Sequence, residues 1–227
     1  MRCLKREKIR LFCCAALVLF CFFLTAEREK RVMLPLSGHK VVLDAGHGGW
    51  DPGKTGTSGF SHEKDLNLFV TECLAEYLEL AGVETVCTRN ADEALAEGKG
   101  KDLAERKRIA EESGAELLIS IHQNAFPSRR VWGAQVFYHK GSAEGKRLAD
   151  CVQESLKTVL SDGNKRTAKE NESYYMLRTV KMPAIIIECG FLSNREEEKL
   201  LNDARYREKL AWAVLAGVQA YFEGNQH

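Results

Sequence analysis

Two hundred and twenty-seven residues accommodate one sizeable domain with a short extension, and 44% hydrophobic, 29% charged and 8% aromatic residues is a globular composition that excludes wholesale disorder. Thirty-three basic against 32 acidic residues leave a net charge of +1, without the basic excess that electrostatic capture of nucleic acid requires. The charge is uneven: residues 1–31 hold eight Lys/Arg and three Asp/Glu, or +5, which leaves −4 on residues 32–227.

The chain opens with Arg2, Lys5, Arg6, Lys8 and Arg10, followed by an uncharged run from Leu11 to Ala26. A basic start before an apolar stretch is an export signal. As a helix the run spans about 24 Å, short for a ~30 Å hydrocarbon core but workable with snorkelling flanks. Leu24-Thr25-Ala26 is a poor cleavage site, and Phe20 before Cys21 breaks a lipoprotein pattern. The expectation is an uncleaved signal anchor over residues 1–31, with the folded body over 32–227 on the extracytoplasmic face of the cytoplasmic membrane; a cleaved leader would leave it secreted.

Lys40–Ala45 is a short apolar run and a buried strand. Lys64–Leu80 is a helix, with Leu66, Phe69, Cys73, Leu74, Tyr77 and Leu78 at helical spacing and Gly82 closing it. Val83–Thr88 is a strand, Asp92–Lys101 a polar loop, Asp102–Glu112 a charged helix and Glu116–His122 a strand. Gly133–His139 is a further strand, Ala143–Leu160 an amphipathic helix and Ser161–Ser173 an exposed loop. Ala184–Glu188 is a β-branched run suited to a central strand buried on both faces, followed by helices at Arg195–Asn202 and Arg205–Phe222. This alternation predicts an α/β fold: a twisted, mostly parallel sheet of five or six strands with helices on both faces. Cys73, Cys87, Cys151 and Cys189 fall singly on apolar faces with no CxxC pair, which favours buried free thiols, although export keeps one bridge open.

In such sheets ligands bind beyond the carboxyl ends of the strands. His47 follows the first strand, His122 ends the third and Glu188 ends the last, while the Gly-rich stretch Gly48–Gly59 can fold Glu63 back toward His47. Two imidazoles and a carboxylate are a ligand set for one catalytic Zn²⁺ with a fourth position for water, and a further carboxylate is what a hydrolase needs as general base. Glu188 is hard to explain otherwise, since an acid ending a run of three isoleucines faces desolvation. His62 is the rival of Glu63 as a ligand. His39 and His139 read as surface or edge positions, and Ser193-Asn194 with a Glu three residues on reads as a helix cap. Gly48-Gly49-Trp50-Asp51-Pro52-Gly53-Lys54-Thr55 satisfies the P-loop pattern, but Thr55–Gly59 cannot start the helix whose amides would cradle phosphate, so no nucleotide is expected.

LDAGHGGWDPGKTG, SHEKDLNL, SIHQNAFPS and IIIECGFLSN, in this order, resemble the zinc-dependent N-acetylmuramoyl-L-alanine amidases of bacterial cell walls, those with the type-3 catalytic domain, over about Lys40 to Phe222. The resemblance implies a twisted sheet flanked by helices, metal ligands at His47, Glu63 and His122, a catalytic glutamate at Glu188, and peptidoglycan as substrate. Ala45 departs from the motif, which usually has Pro there. GAQVFYH, YYMLRTVKMPA and the single anchor most resemble the sporulation amidases that modify spore-cortex peptidoglycan before germination, and amidases of this kind can be controlled by a protein partner. The bond implied joins the lactyl carbonyl of N-acetylmuramic acid to L-alanine, and the acidic stem peptide calls for cations: Arg178, and Lys165, Arg166 and Lys169 in the loop. Two other readings stay open: a membrane-held binding module with weak activity, and a zinc hydrolase of the same fold acting on another amide.

Overall fold

The computed structural model describes residues 36–224, so the basic leader and the anchor expected there lie outside the described residues. The aliphatic runs pair into one sheet of β1 (Lys40–Ala45), β2 (Glu84–Cys87), β3 (Leu117–Asn124), β4 (Gln135–His139), β5 (Lys169–Asn171) and β6 (Ala184–Phe191), ordered β2-β1-β3-β6-β4-β5. Strands β2, β1, β3 and β6 are parallel, β4 runs antiparallel to β6, and β5 pairs parallel to β4. The helices are α1 (Glu63–Leu80), α2 (Lys99–Glu112), α3 (Ala143–Leu160), α4 (Tyr175–Thr179), α5 (Arg195–Asn202) and α6 (Ala204–Glu223).

Period-two alternation divides the strand residues between two cores. Val42, Leu118, Phe137, Ala184 and Ile186 form one with Ala110 of α2 and Met176 and Leu177 of α4. Leu43, Ile119, Ile121, Ile185 and Ile187, of opposite parity, are fully buried toward the other face, where α1 and α3 pack on the sheet and α6 packs on both helices. The same alternation puts Asp44, Ser120, His122 and Glu188 on the α2/α4 face, at the carboxyl ends of β1, β3 and β6. His122 stands opposite Glu188 in the β3–β6 register, which then shifts between His122 and Asn124. Irregularities of this kind re-aim side chains next to active sites.

Besides shifts of one or two residues at other ends, several elements depart from the sequence expectation. β3 continues past His122 to Asn124 and β6 past Glu188 to Phe191, because each is the other's pairing partner that far. α2 begins at Lys99 inside a Gly-spaced stretch expected as loop, since Asp102 accepts the Leu95 amide at 2.8 Å and so ties the first turn down. The loop after Leu160 contains β5, a three-residue edge strand with no apolar signal, and α4 is a single turn. Cys73, Cys87, Cys151 and Cys189 are free thiols, of which only Cys189 is fully buried. Asn194 caps α5 as expected, accepting from the amides of Glu196 and Glu197, but the Glu197 carboxylate turns away to the amides of Gly133 and Phe191 instead of closing a capping box. No helix among the described residues is long and apolar enough to cross a membrane.

Candidate active site

The turn after β1 carries His47 with φ of 64°, in the left-handed region that residues with a side chain seldom occupy. Three side chains grip its carbonyls. Arg89 donates Nε to Ala45 O at 2.8 Å and Nη2 to Gly46 O at 3.2 Å. Arg106 donates Nη1 to Ala45 O at 2.8 Å and Nη2 to His47 O at 2.6 Å, and Asn67 Nδ2 reaches Gly46 O at 3.0 Å. Asn67, one turn along α1 from Glu63, also accepts from Gln123 Nε2 at 3.2 Å, so it links the neighbours of His47 and His122 to the helix of Glu63.

Glu63 enters the site as the first residue of α1, folded back by the Gly-rich loop as expected. Glu63 Oε1 lies 3.3 Å from His47 Nε2 and 3.0 Å from His122 Nδ1 and accepts the Gln123 amide at 3.0 Å; Oε2 accepts the Lys54 amide at 2.8 Å. One ligand atom from each of His47, Glu63 and His122 lies within 4.8 Å of the others, a grouping that can hold a metal ion. The donors fit such an ion chemically: two imidazole nitrogens and a carboxylate suit a borderline divalent cation. His47 Nδ1 is 2.8 Å from Asp51 Oδ2, the second carboxylate that fixes the orientation of a ligating imidazole. His62 does not join the set; it occupies the position before α1, 3.5 Å from the Thr55 hydroxyl.

The electrostatics follow from burial and pairing. Burial works to raise the Glu63 carboxyl, but hydrogen bonds from His122 and His47 outweigh it and hold the group well below the ordinary carboxylate range. Burial likewise opposes charge on His122, and Glu63 overcomes it to raise the imidazole. For Glu188 burial wins: with the Glu63 charge added, the carboxyl is pushed up to about 7 despite the attraction of His122. Glu188 Oε1 accepts from the Tyr174 hydroxyl at 3.3 Å, and Oε2 is buried without a partner. His47, Glu63, His122 and Glu188 line one cleft of about 550 Å³.

The P-loop match has no phosphate cradle behind it. The helix starts at Glu63, the Lys54 amide is taken by the Glu63 carboxylate, and the Ser58 amide by Glu198. The cations proposed from sequence are not brought to the cleft. Arg178 is exposed, its guanidinium 5.5 Å from the centre of the Tyr175 ring. Arg166 donates to Trp132 O and Gln135 Oε1, and Lys165 and Lys169 are outside the cleft wall. Lys54 and Lys99 line it instead. Asp51, at i+4 from His47, was legible by spacing; Tyr174 and Lys99 reach the site only through tertiary packing. His39 is stacked on Phe222 at 3.8 Å, a packed position and not a bare surface one.

Glycine at position 46 is a requirement of space. A Cβ there would lie 2.2 Å from His122 Cε1 and 2.3 Å from Nε2, against a ring already set by Glu63. Gly46→Ala is expected to lower metal affinity by about 10–100-fold, the scale of losses when a ligand's orientation is disturbed, while far-ultraviolet circular dichroism stays unchanged. Wild-type metal affinity in that variant would show that the ring can move aside.

A mostly parallel α/β sheet with two imidazoles and two carboxylates converging in a cleft at its carboxyl edge is the frame of a hydrolase whose donor set can hold a metal ion. Residues 41–220 match the Amidase_3 family model, N-acetylmuramoyl-L-alanine amidase, and the chain belongs to that family. The germination-specific N-acetylmuramoyl-L-alanine amidase of Bacillus subtilis is 40% identical over 197 residues, covering 83% of this chain and 82% of the relative. N-acetylmuramoyl-L-alanine amidase AmiA of Escherichia coli is 30% identical over 225 residues, covering 80% of this chain and 75% of AmiA. Among solved structures, the CwlD amidase from Clostridioides difficile, in complex with the GerS lipoprotein, is similar with a TM-score of 0.79 and 40% identity, covering 82% of this chain and 99% of that one.

Proposed function

We propose that this amidase is a zinc enzyme that cleaves the bond between N-acetylmuramic acid and L-alanine in spore-cortex peptidoglycan, with His47, Glu63 and His122 holding the ion and Glu188 as general base. The observation that carries the reading is the meeting of the three donors within 4.8 Å in the cleft that Glu188 also lines. The spore-cortex assignment is supported by the 40% identity to a germination-specific amidase. The solved pairing of CwlD with a lipoprotein supports a protein partner, and the basic leader with its apolar run supports anchoring to the cytoplasmic membrane with the catalytic domain outside.

When bound, Zn²⁺ supplies Lewis acidity that polarises a carbonyl and brings the pKa of water to about 7. The protein does the rest. Asp51 orients the His47 imidazole through the 2.8 Å contact at Nδ1, which leaves Nε2 to the ion. Glu188, lining the cleft beside the three donors, takes the proton of the attacking water and returns it to the departing amine of L-alanine. Atoms balance: one water is consumed, its hydroxyl going to the lactyl carbonyl and its proton to the amine.

The test is mass spectrometry of muropeptides after incubating peptidoglycan with the full chain, its zinc content measured beforehand. Stem peptides ending in a free L-alanine amine, lost on chelation and regained with Zn²⁺, are expected. Stoichiometric zinc with every stem peptide still attached would overturn the reading in favour of a binding module. Cleavage at another amide would favour the other hydrolase.

A further inference from the structure

Glu188 is anchored on one side only. The Tyr174 hydroxyl donates to Oε1 at 3.3 Å, and the other oxygen, Oε2, has no partner. Tyr174 lines the same cleft as Glu188, His47 and His122. Its ring is set by packing: it meets Phe137 edge-on, with centroids 5.5 Å apart at 77°, and Phe137 pairs across the sheet with Ile186, two residues before Glu188. Its backbone is set as well, the amide donating to Asn171 Oδ1 at 2.8 Å. Burial, and then the nearby Glu188 charge, push the phenol above its ordinary range, so it keeps its proton and stays a donor.

A carboxylate acting as a base has two equivalent oxygens and a soft terminal torsion. A rigidly placed donor on one oxygen removes that equivalence and fixes the plane of the group. The remaining features of the cleft provide no substitute, since no other hydrogen bond to the Glu188 carboxylate is formed among the described residues. We infer that Tyr174 is the positioning residue of the catalytic carboxylate: its hydroxyl holds Glu188 Oε1 and so fixes the orientation of the carboxylate in the cleft. This rests on the reading of Glu188 as general base.

Tyr174→Phe deletes the hydroxyl and keeps the ring that packs on Phe137. In the full chain loaded with zinc, kcat should fall about 10–100-fold, the loss of one hydrogen bond to a charged group, with KM changed by less than about twofold. Zinc content and Tm should equal those of the parent. In a Glu188→Gln background the same substitution should have no further effect on the residual rate, because the carboxylate it positions is gone. Unchanged kcat, a loss matched by lower zinc content or lower Tm, or an equal fold-loss in the Glu188→Gln background would each overturn the assignment. Full activity in Glu188→Gln alone would overturn the base itself and this inference with it, which separates the two failures.

Discussion

Replacing Glu188 with Gln should lower kcat for stem-peptide release by about 10²–10⁴-fold, the usual contribution of a positioned general base, with the zinc content unchanged. The amide is nearly isosteric and keeps the acceptor for Tyr174, so the cleft should retain its shape. It removes a buried carboxylate whose ionisation the fold resists, since burial pushes its pKa up to about 7 from the ordinary 4.5. A carboxyl raised in the folded state favours folding when protonated and works against it as pH rises past the unfolded value. The metal-free variant should therefore be at least as stable as the metal-free parent at pH 8, by equilibrium denaturation. Activity lost together with stability would point to collapse of the cleft; activity retained would remove Glu188 from the chemistry. A stabilising and inactivating substitution is the expected mark of a residue kept for function.

Much of this was legible in the sequence because the signals are local. β1 and the first and last residues of α3 and α5 fall where periodicity and caps put them. His47, His122 and Glu188 could be placed at one sheet edge because parallel strands all end on the same side, and Glu63 because glycines permit a sharp return. What was illegible depends on contacts distant in sequence. The three polar residues of β5 form a strand only because β4 offers an edge. Lys99 and Gly100 are helical because Asp102 is anchored from outside the helix. Arg178 was singled out by charge alone, which carries no direction; its guanidinium lies over Tyr175. Tyr174 carried no motif signal; its relevance comes from the hydroxyl that meets Glu188.

Arg106→Met is expected to destabilise the protein by about 3–5 kcal/mol, the cost of leaving a buried charge without its partner. Arg106 is 2% exposed and joins Asp44 and Asp102, at 2.8 and 2.6 Å, to the carbonyls under His47. Asp44 is itself 1% exposed, and burial would raise its carboxyl, but Arg106 and the Ser120 hydroxyl reverse this and hold it at about 2. A depressed folded pKa contributes stability that is complete above the unfolded value near 4 and is lost as pH falls toward 2; here that is roughly 2 kcal/mol. Subtracting the unfolding free energies of Arg106→Met from those of the parent across that range isolates the pair from the other carboxylates. The difference should shrink as pH falls, because protonating Asp44 removes the charge the methionine cannot match. A difference constant with pH would mean that Arg106 acts through the carbonyls of Ala45 and His47 alone. The same variant should bind zinc more weakly even where it is fully folded, since those carbonyls hold His47 in its left-handed turn. The network that stabilises the end of β1 and the one that aims the imidazole are then one set of hydrogen bonds, and the two properties should fall together.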